Sequence, residues 1–505
     1  MPNRPNIIIF QTDDMGFSDL GCYGGEIQTP NLDALAQNGL RFTNFYTSPK
    51  CFPSRACLLT GQYAQKVGLG RKPRTFKNCV TLGEALRPAG YRTLMTGKWH
   101  AEETPYQRGF DRHFGLTDGC CDSFNPGIEI KSGRNRRWAI DEKEFLPYIP
   151  DDPNFYTTDT FTDYALDYLD TYKGEDKPFL LHIAYTAPHY PIQAWPDDIA
   201  KYRGKYMVGW DQIRKERHER QQEMGIFESN QKLPHRGQAY KRLWRGTSRW
   251  MTRYWDDEEM ILPWEEINGK EDWDFKMAIY AAMIDRVDQN IGRVMDKVRE
   301  LGKEENTLVM FLSDNGACPG THHLTPNVEP GAAGSYDTVD MPWANACNTP
   351  FRKYKDWCHE GGIATPFIVS WPAGIQNGGT ITHQPGHAID IMATCLDIAN
   401  TDYPTEHNGQ QVLPLDGKSL LPIFEGQTRE GHDAIYWQWN RSKAIRRKNW
   451  KLVSEFDGPW ELYDLETDRT ELNNLVDEHP QKVSELDTLW NTWFNHCCQI
   501  DPELA

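Results

Sequence analysis

The sequence predicts an α/β fold in which a large domain, built on a central and mostly parallel sheet flanked by helices, precedes a smaller C-terminal α+β domain with an antiparallel sheet. Three observations predict it. Short continuous apolar runs recur, each ending in a polar cluster and followed by a helical pattern, as strands buried on both faces of a parallel sheet do. The chain has 505 residues, more than one ordinary core holds. After Pro422 the pattern changes to short strands in close succession. The expected division is therefore residues 1–425, with an insertion at about 201–272, and residues 426–505.

The first buried run, Asn6 to Phe10, leads into Gln11-Thr12-Asp13-Asp14. Ligands collect at the carboxyl ends of strands in such sheets, so an acid pair there suits a metal; a turn or helix-cap role is the alternative. Asn31 to Phe42 has apolar residues at helical spacing, and Leu82 to Leu86 followed by Ala89-Gly90 reads as a helix closing on glycine. Tyr91 to Met95 is the next strand and delivers Gly97-Lys98-Trp99-His100; Pro178 to Tyr185 is another and ends at Thr186-Ala187-Pro188-His189. Helical spacing returns in Phe275 to Leu301, and the strand Leu308 to Leu312 ends at Ser313-Asp314-Asn315-Gly316.

Lys201 to Asp272 is charged and tryptophan-rich, with mixed signs in Lys215 to Glu223, and reads as an inserted helical excursion with a solvated helix. In the C-terminal part, Ile435–Trp439, Ser442–Ile445, Trp450–Val453 and Trp460–Tyr463 form a predicted antiparallel meander, with a helix from Pro480 to Phe494 packed on it.

A net charge of −17 and a pI near 5.4 exclude general affinity for nucleic acid and leave any anionic substrate dependent on a local cationic pocket. The twelve cysteines show neither zinc-like spacing nor a disulfide framework, so most are expected free and buried. The amino end runs straight into a strand pattern and no span suited to a membrane follows; the expectation is a soluble chain, periplasmic or secreted if a signal peptide was removed, otherwise cytoplasmic.

Chemistry concentrates in Cys51-Phe52-Pro53-Ser54-Arg55, which continues to Leu59-Thr60-Gly61. On residue types alone, Cys51 is either a nucleophile or a loop cysteine at a helix start. Asp13, Asp14, Asp314 and Asn315 are four oxygen donors at strand ends, a set suited to a hard divalent cation, Ca²⁺ in preference to Mg²⁺. Arg55, Lys98, His100, His189 and Lys355 are the cationic counterpart, able to surround an anion.

These segments resemble, in the same order along the chain, the signature of the type I, formylglycine-dependent sulfatases of the alkaline phosphatase-like superfamily. They are the Cys-x-Pro-Ser-Arg run, the Asp-Asp pair, Gly-Lys-Trp-His, Ala-Pro-His, Ser-Asp-Asn-Gly and the lysine before Glu360-Gly361-Gly362. The resemblance runs from about Asn6 to Asp464, with departures at Ala101-Glu102 and Ile363-Ala364-Thr365 that bear on substrate preference. It implies that a separate maturation enzyme oxidises Cys51 to formylglycine. Asp13, Asp14, Asp314, Asn315 and the modified Cys51 would bind Ca²⁺, and Arg55, Lys98 and His100 would hold the hydrated aldehyde. A hydroxyl on residue 51 would attack sulfur as its proton passes to Asp314. The alcohol would leave with help from His189 or Lys355, and His100 would take the proton whose loss expels sulfate.

The expected activity is hydrolysis of sulfate esters, those of a sulfated saccharide before small aryl sulfates. Lys98, His189 and Lys355 would bind the sulfate, and Trp343, His322, His323 and Arg352 are candidate sugar contacts. A phosphonate or phosphate ester hydrolase of the same superfamily is the second enzyme reading. A noncatalytic sulfoglycan-binding protein is the third; a binder has no need of the acid set. The sequence gives no oligomeric state.

Overall fold

The computed structural model describes residues 4–240, 244–246 and 253–504. Ten strands form one mixed sheet, in the spatial order 380–382, 40–42, 367–370, 307–313, 6–12, 179–184, 92–97, 112–116, 138–140 and 143–145. The central five are all parallel, and the pairing Ile9↔Met310 and Ile9↔His182 fixes their register. Antiparallel pairs follow on both sides, and the outermost pair on one flank, 380–382 with 40–42, is parallel.

Strand Asn6–Thr12 shows why its apolar run is continuous. Ile8 and Phe10 pack into the core shared with helices Thr157–Tyr172 and Lys270–Glu300, while Ile7 and Ile9 pack into the core shared with helices Cys51–Thr60, Leu82–Leu86 and Asp390–Ala399. Both faces are dry, so polar alternation never arises. Helix Leu82–Leu86 starts on a capping box in which Thr81 and Glu84 satisfy each other's backbone N–H groups.

Strands Ile435–Trp439, Ser442–Arg447, Trp450–Ser454 and Glu461–Asp464 make the antiparallel meander. Its side chains alternate between two cores: Ala444, Val453 and Tyr463 join the main core, whereas Ile445, Leu452 and Leu462 meet Leu486 and Trp490 of helix Pro480–Ile500. Lys451, fully buried, pairs with Glu360 at 2.8 Å and Glu471 at 2.7 Å and so pins the small sheet to the large domain.

Two expectations are corrected. The stretch from Asn31 to Phe42 is not one helix: helix Pro30–Gln37 stops, Gly39 passes against the Val369 carbonyl, and Leu40–Phe42 pairs with Phe367–Val369. A β-carbon on Gly39 would lie 2.1 Å from that carbonyl oxygen, so only glycine allows the approach. The insertion is helical only in part, chiefly over Gly209–Glu223, and that helix is solvated on one face alone: Lys215, Glu219 and Glu223 are exposed, whereas Arg214, Arg217, His218 and Gln221 are buried. Residues 241–243 and 247–252 of the insertion, and residues 1–3, lie outside the described residues. No helix among the described residues is long and apolar enough to cross a membrane. All twelve cysteines are unpaired thiols, nine of them buried.

Candidate active site

Four neighbouring parallel strands deliver their polar ends to one edge of the sheet. Thr12 pairs with Ser313, which sets Asp13 and Asp14 beside Asp314 and Asn315. Strand Phe179–Ala184 leads through the cis Ala187–Pro188 bond to His189, and strand Arg92–Gly97 leads to Lys98 and His100. Asp14 has φ +68° and His100 φ +70°, left-handed conformations that the tertiary contacts must hold. For Asp14 those contacts are its N–H donated to Asp314 Oδ1 at 3.3 Å and its carbonyl accepting the Tyr280 hydroxyl at 3.1 Å.

Helix Cys51–Thr60, buried throughout, begins at Cys51 and is closed by Gly61 at φ +69°. Arg55 lies four residues after Cys51 and therefore on the same helix face. Its guanidinium donates to Asp314 Oδ2 from Nε at 3.2 Å and from Nη2 at 2.9 Å, lies 3.5 Å from Asp13 Oδ2, and donates to the Lys98 carbonyl at 2.8 Å. Lys98 Nζ meets Asp13 Oδ2 at 2.5 Å, and Lys355 Nζ meets Asp14 Oδ1 at 2.6 Å. Cys51 is 3% exposed and within electrostatic reach of Arg55, Lys98 and Lys355.

Three buried carboxylates thus face three buried cations. Burial alone would raise the pKa of Asp13, but Lys98, His189, Arg55 and Lys355 outweigh it and hold that carboxyl far below its usual range. Asp14 is lowered in the same way by Lys355 and His189. Asp314 goes the other way: burial and then the Asp13 charge push it up to about 7 against Arg55 and Lys98. Burial, reinforced by Lys98 and Arg55, holds His100 well below its usual value, so its imidazole is neutral.

Asp13, Asp14 and His189 bring one potential ligand atom each to within 4.8 Å of one another. Asp13 Oδ1, Asp14 Oδ2 and Asn315 Oδ1 are buried with no hydrogen-bond partner, a costly state that a cation would relieve. Asp314 turns Oδ2 to Arg55, and its Oδ1 accepts the Asp14 N–H at 3.3 Å. His189 enters a set read as free of imidazole. Its Nδ1 lies 2.6 Å from the Tyr190 carbonyl, which can only accept, so Nδ1 carries the proton and the Nε2 lone pair lies 3.5 Å from Asp14 Oδ2. Two lone pairs face each other there, another arrangement that a cation between them relieves.

The predicted sugar contacts divide. Trp343 is corrected: it is fully buried, donates from Nε1 to the Trp273 carbonyl at 2.9 Å, and packs edge-on to Trp210 among the insertion's tryptophans. His323 is corrected too, being 1% exposed and enclosed by Asp337, Asp340 and Lys276. Arg352 is held by the Tyr463 hydroxyl and the Glu471 carbonyl and lines a separate cavity of about 300 Å³ with Lys353 and Glu455. His322 stays near the site, its ring 5.5 Å from that of Tyr190, which lies 4.2 Å from His189.

Sequence reasoning missed two contributors. Tyr190, half-buried at the mouth, carried no signal beyond its place after His189. The segment 117–137 approaches His100 so closely that a β-carbon on Gly119 would lie 2.8 Å from His100 Nε2. Its signal was legible: Lys131, Arg134, Arg136 and Arg137 are four cations in seven residues of an acidic chain.

Comparison with known proteins gives the family. A sulfatase profile matches residues 5–401, and a profile for the C-terminal part of N-sulphoglucosamine sulphohydrolase matches residues 352–492. The chain is 32% identical to an arylsulfatase of Klebsiella aerogenes, over 84% of this chain and 93% of that one. It is 28% identical to an N-acetylglucosamine-6-O-sulfatase of Bacteroides thetaiotaomicron, over 96% and 85%. Among solved structures, a protein in complex with its substrate D-glucosamine-2-N,6-O-disulfate superposes with a TM-score of 0.68 at 24% identity, covering 99% of both chains. The phosphonate monoester hydrolase of Agrobacterium radiobacter superposes at 0.57 and 19% identity, over 99% of this chain and 96% of that one, a likeness of fold. The profile spans most of the chain and its signature residues meet at one sheet edge: the chain belongs to the sulfatase family and is a sulfuric ester hydrolase.

Proposed function

We propose that this sulfatase cleaves sulfate esters of a saccharide, using a formylglycine made from Cys51 by a separate maturation enzyme, and a bound Ca²⁺. The observation that carries the reading is the buried set of three carboxylates and three cations around the Cys51 helix start, with unpartnered oxygens on Asp13, Asp14 and Asn315. Those three residues, with His189 or Asp314 completing the set, would hold the ion; oxygen donors predominate at this buried strand end, which suits a hard cation. Once bound, Ca²⁺ supplies positive charge for a sulfate oxygen, and the hydrated aldehyde supplies the attacking hydroxyl.

The chain's own residues supply the rest. Lys98 and Lys355, both held charged by their carboxylate partners, stabilise charge on the sulfate. Asp314, pushed up to about 7, takes a proton near neutral pH, and the neutral His100, whose Nδ1 has no partner, would be the second base. Arg55 fixes Asp314 and Asp13 relative to Cys51. Lys355 or His189, which both face Asp14, would give the leaving oxygen its proton. A saccharide fits the curated relatives that act on sulfated hexosamines.

The test is the mass of the tryptic peptide containing residue 51 from active protein, with sulfate release from sulfated saccharides. An aldehyde mass with release is expected, and Cys51→Ala should abolish turnover. Full turnover by Cys51→Ala would sink the proposal.

A further inference from the structure

Beside His100 lies a cavity of about 540 Å³ whose walls include Glu102, Asp118, Cys120, Arg136 and Arg137. One wall is the site itself; the other belongs to segment 117–137, to which the chemistry above gives no part. Arg137 is built in. It pairs with Asp118 at 3.5 Å and donates to the carbonyls of Ala101 at 3.1 Å and Glu102 at 3.2 Å, tying the segment to the chain just after His100.

Arg136 is only partly used. Its Nη2 meets Glu129 and lies 3.5 Å from Cys120 Sγ, its buried Nε has no partner, and no described residue accepts from Nη1. Lys131, in the same segment, places its Nζ 3.2 Å from His322 Nε2, and Arg134, between Lys131 and Arg136 in sequence, is exposed. The chain as a whole carries −17, so this run reverses the local sign at the entrance.

We propose that this cavity is a subsite for a second anionic group, sulfate or carboxylate, on the saccharide whose sulfate is cut. Arg136 is its principal contact, and Lys131 and Arg134 are its rim. The inference rests on the sulfate-ester reading above. Lys98 and Lys355 are assigned to the sulfate undergoing cleavage, so a singly charged sugar would leave Arg136 with Glu129 alone and its Nε without a partner. Asp118 and Glu102 on the same walls accept from sugar hydroxyls and penalise an anion placed wrongly.

Matured enzyme is assayed by kcat/KM on a monosulfated sugar, the same sugar with a second sulfate, and the same sugar with a carboxylate in its place; 4-nitrophenyl sulfate checks the chemistry. The wild type should prefer one or both dianionic sugars by about tenfold or more, the value of one charge-assisted contact. Whichever is preferred identifies the anion. Arg136→Gln should erase most of the preference and Arg136→Lys should restore part. Lys131→Gln/Arg134→Gln, at exposed positions, should reduce both the preference and its salt dependence. Equal kcat/KM for all three sugars, or a preference untouched by both glutamine variants, overturns the subsite and leaves the sulfatase reading standing. No sulfate release from any substrate, by protein carrying the aldehyde, overturns both.

Discussion

Arg217→Met tests how the insertion supports the site. Arg217 is fully buried, pairs with the fully buried Asp19 at 2.7 Å and with Glu26 at 2.8 Å, and donates to Ser18 Oγ at 3.1 Å. Asp19 in turn accepts from the Gly16 N–H at 2.8 Å and the Tyr280 hydroxyl at 2.9 Å, and that hydroxyl also reaches the Asp14 carbonyl. One insertion cation therefore anchors the loop that carries both predicted metal acids. At an effective dielectric of about 20, a charge pair at 2.7 Å is worth roughly 6 kcal/mol before desolvation. Methionine fills much of the volume but strands Asp19, and breaking one side of a buried pair costs about 3–5 kcal/mol. That is a large part of a total of about 5–15 kcal/mol.

Urea unfolding should show it as a midpoint lowered by about 1 M or more. Burial already raises the pKa of Asp19, and losing Arg217 raises it further. A raised carboxyl favours the fold while protonated, and that contribution is lost as pH rises through the folded pKa, so the deficit should be larger at about pH 8 than at about pH 5. Adding Asp19→Asn removes the stranded charge, and the double variant should be more stable than Arg217→Met alone by about 1–2 kcal/mol. A cost below about 1 kcal/mol for the single change, or simple addition in the double, would refute the reasoning.

Two further outcomes follow from the geometry. Gly119→Ala places a methyl 2.8 Å from His100 Nε2; turnover should fall about 100-fold with the thermal midpoint nearly unchanged, and undiminished turnover would show that the His100 ring has room to move. His182 is 1% exposed, has no partner on either ring nitrogen, and is lowered to about 3 by burial and then Arg55. Its folded pKa lies below the unfolded 6.5, so its contribution is present above that value and lost as pH falls toward 3, by about 1.4 kcal/mol per pH unit. His182→Gln should flatten the stability profile over that window, and an unchanged slope would count against a neutral buried imidazole.

Much of the site was legible because its residues sit at strand ends, where local sequence pattern and chemistry coincide. The apolar run of Asn6 to Phe10 marks the strand, and Asp13-Asp14 must follow at its carboxyl end. The reading of Lys215 to Glu223 as solvated holds for the outer face, at Lys215, Glu219 and Glu223, and failed for the inner one for the opposite reason. Alternating charge marks a polar helix, and whether its counter-ions are water or Asp19 and Glu26, nearly two hundred residues away, is not written in the helix. Trp343 and His323 failed likewise: residue types suited to sugar recognition suit a buried aromatic cluster and an ion network equally well.

Family, the strands that carry the site, and the identity of the acids, cations and cysteine could be read along the chain, because each is carried by residue types at short spacing; the strand Leu40–Phe42 could not. Which partners the acids and cations take emerged with the folded arrangement alone. It turned Asp314 to Arg55, brought His189 to Asp13 and Asp14, and set segment 117–137 against His100. These are contacts between residues far apart in the chain, and their energies depend on burial and on the charges that surround each group once the sheet has formed.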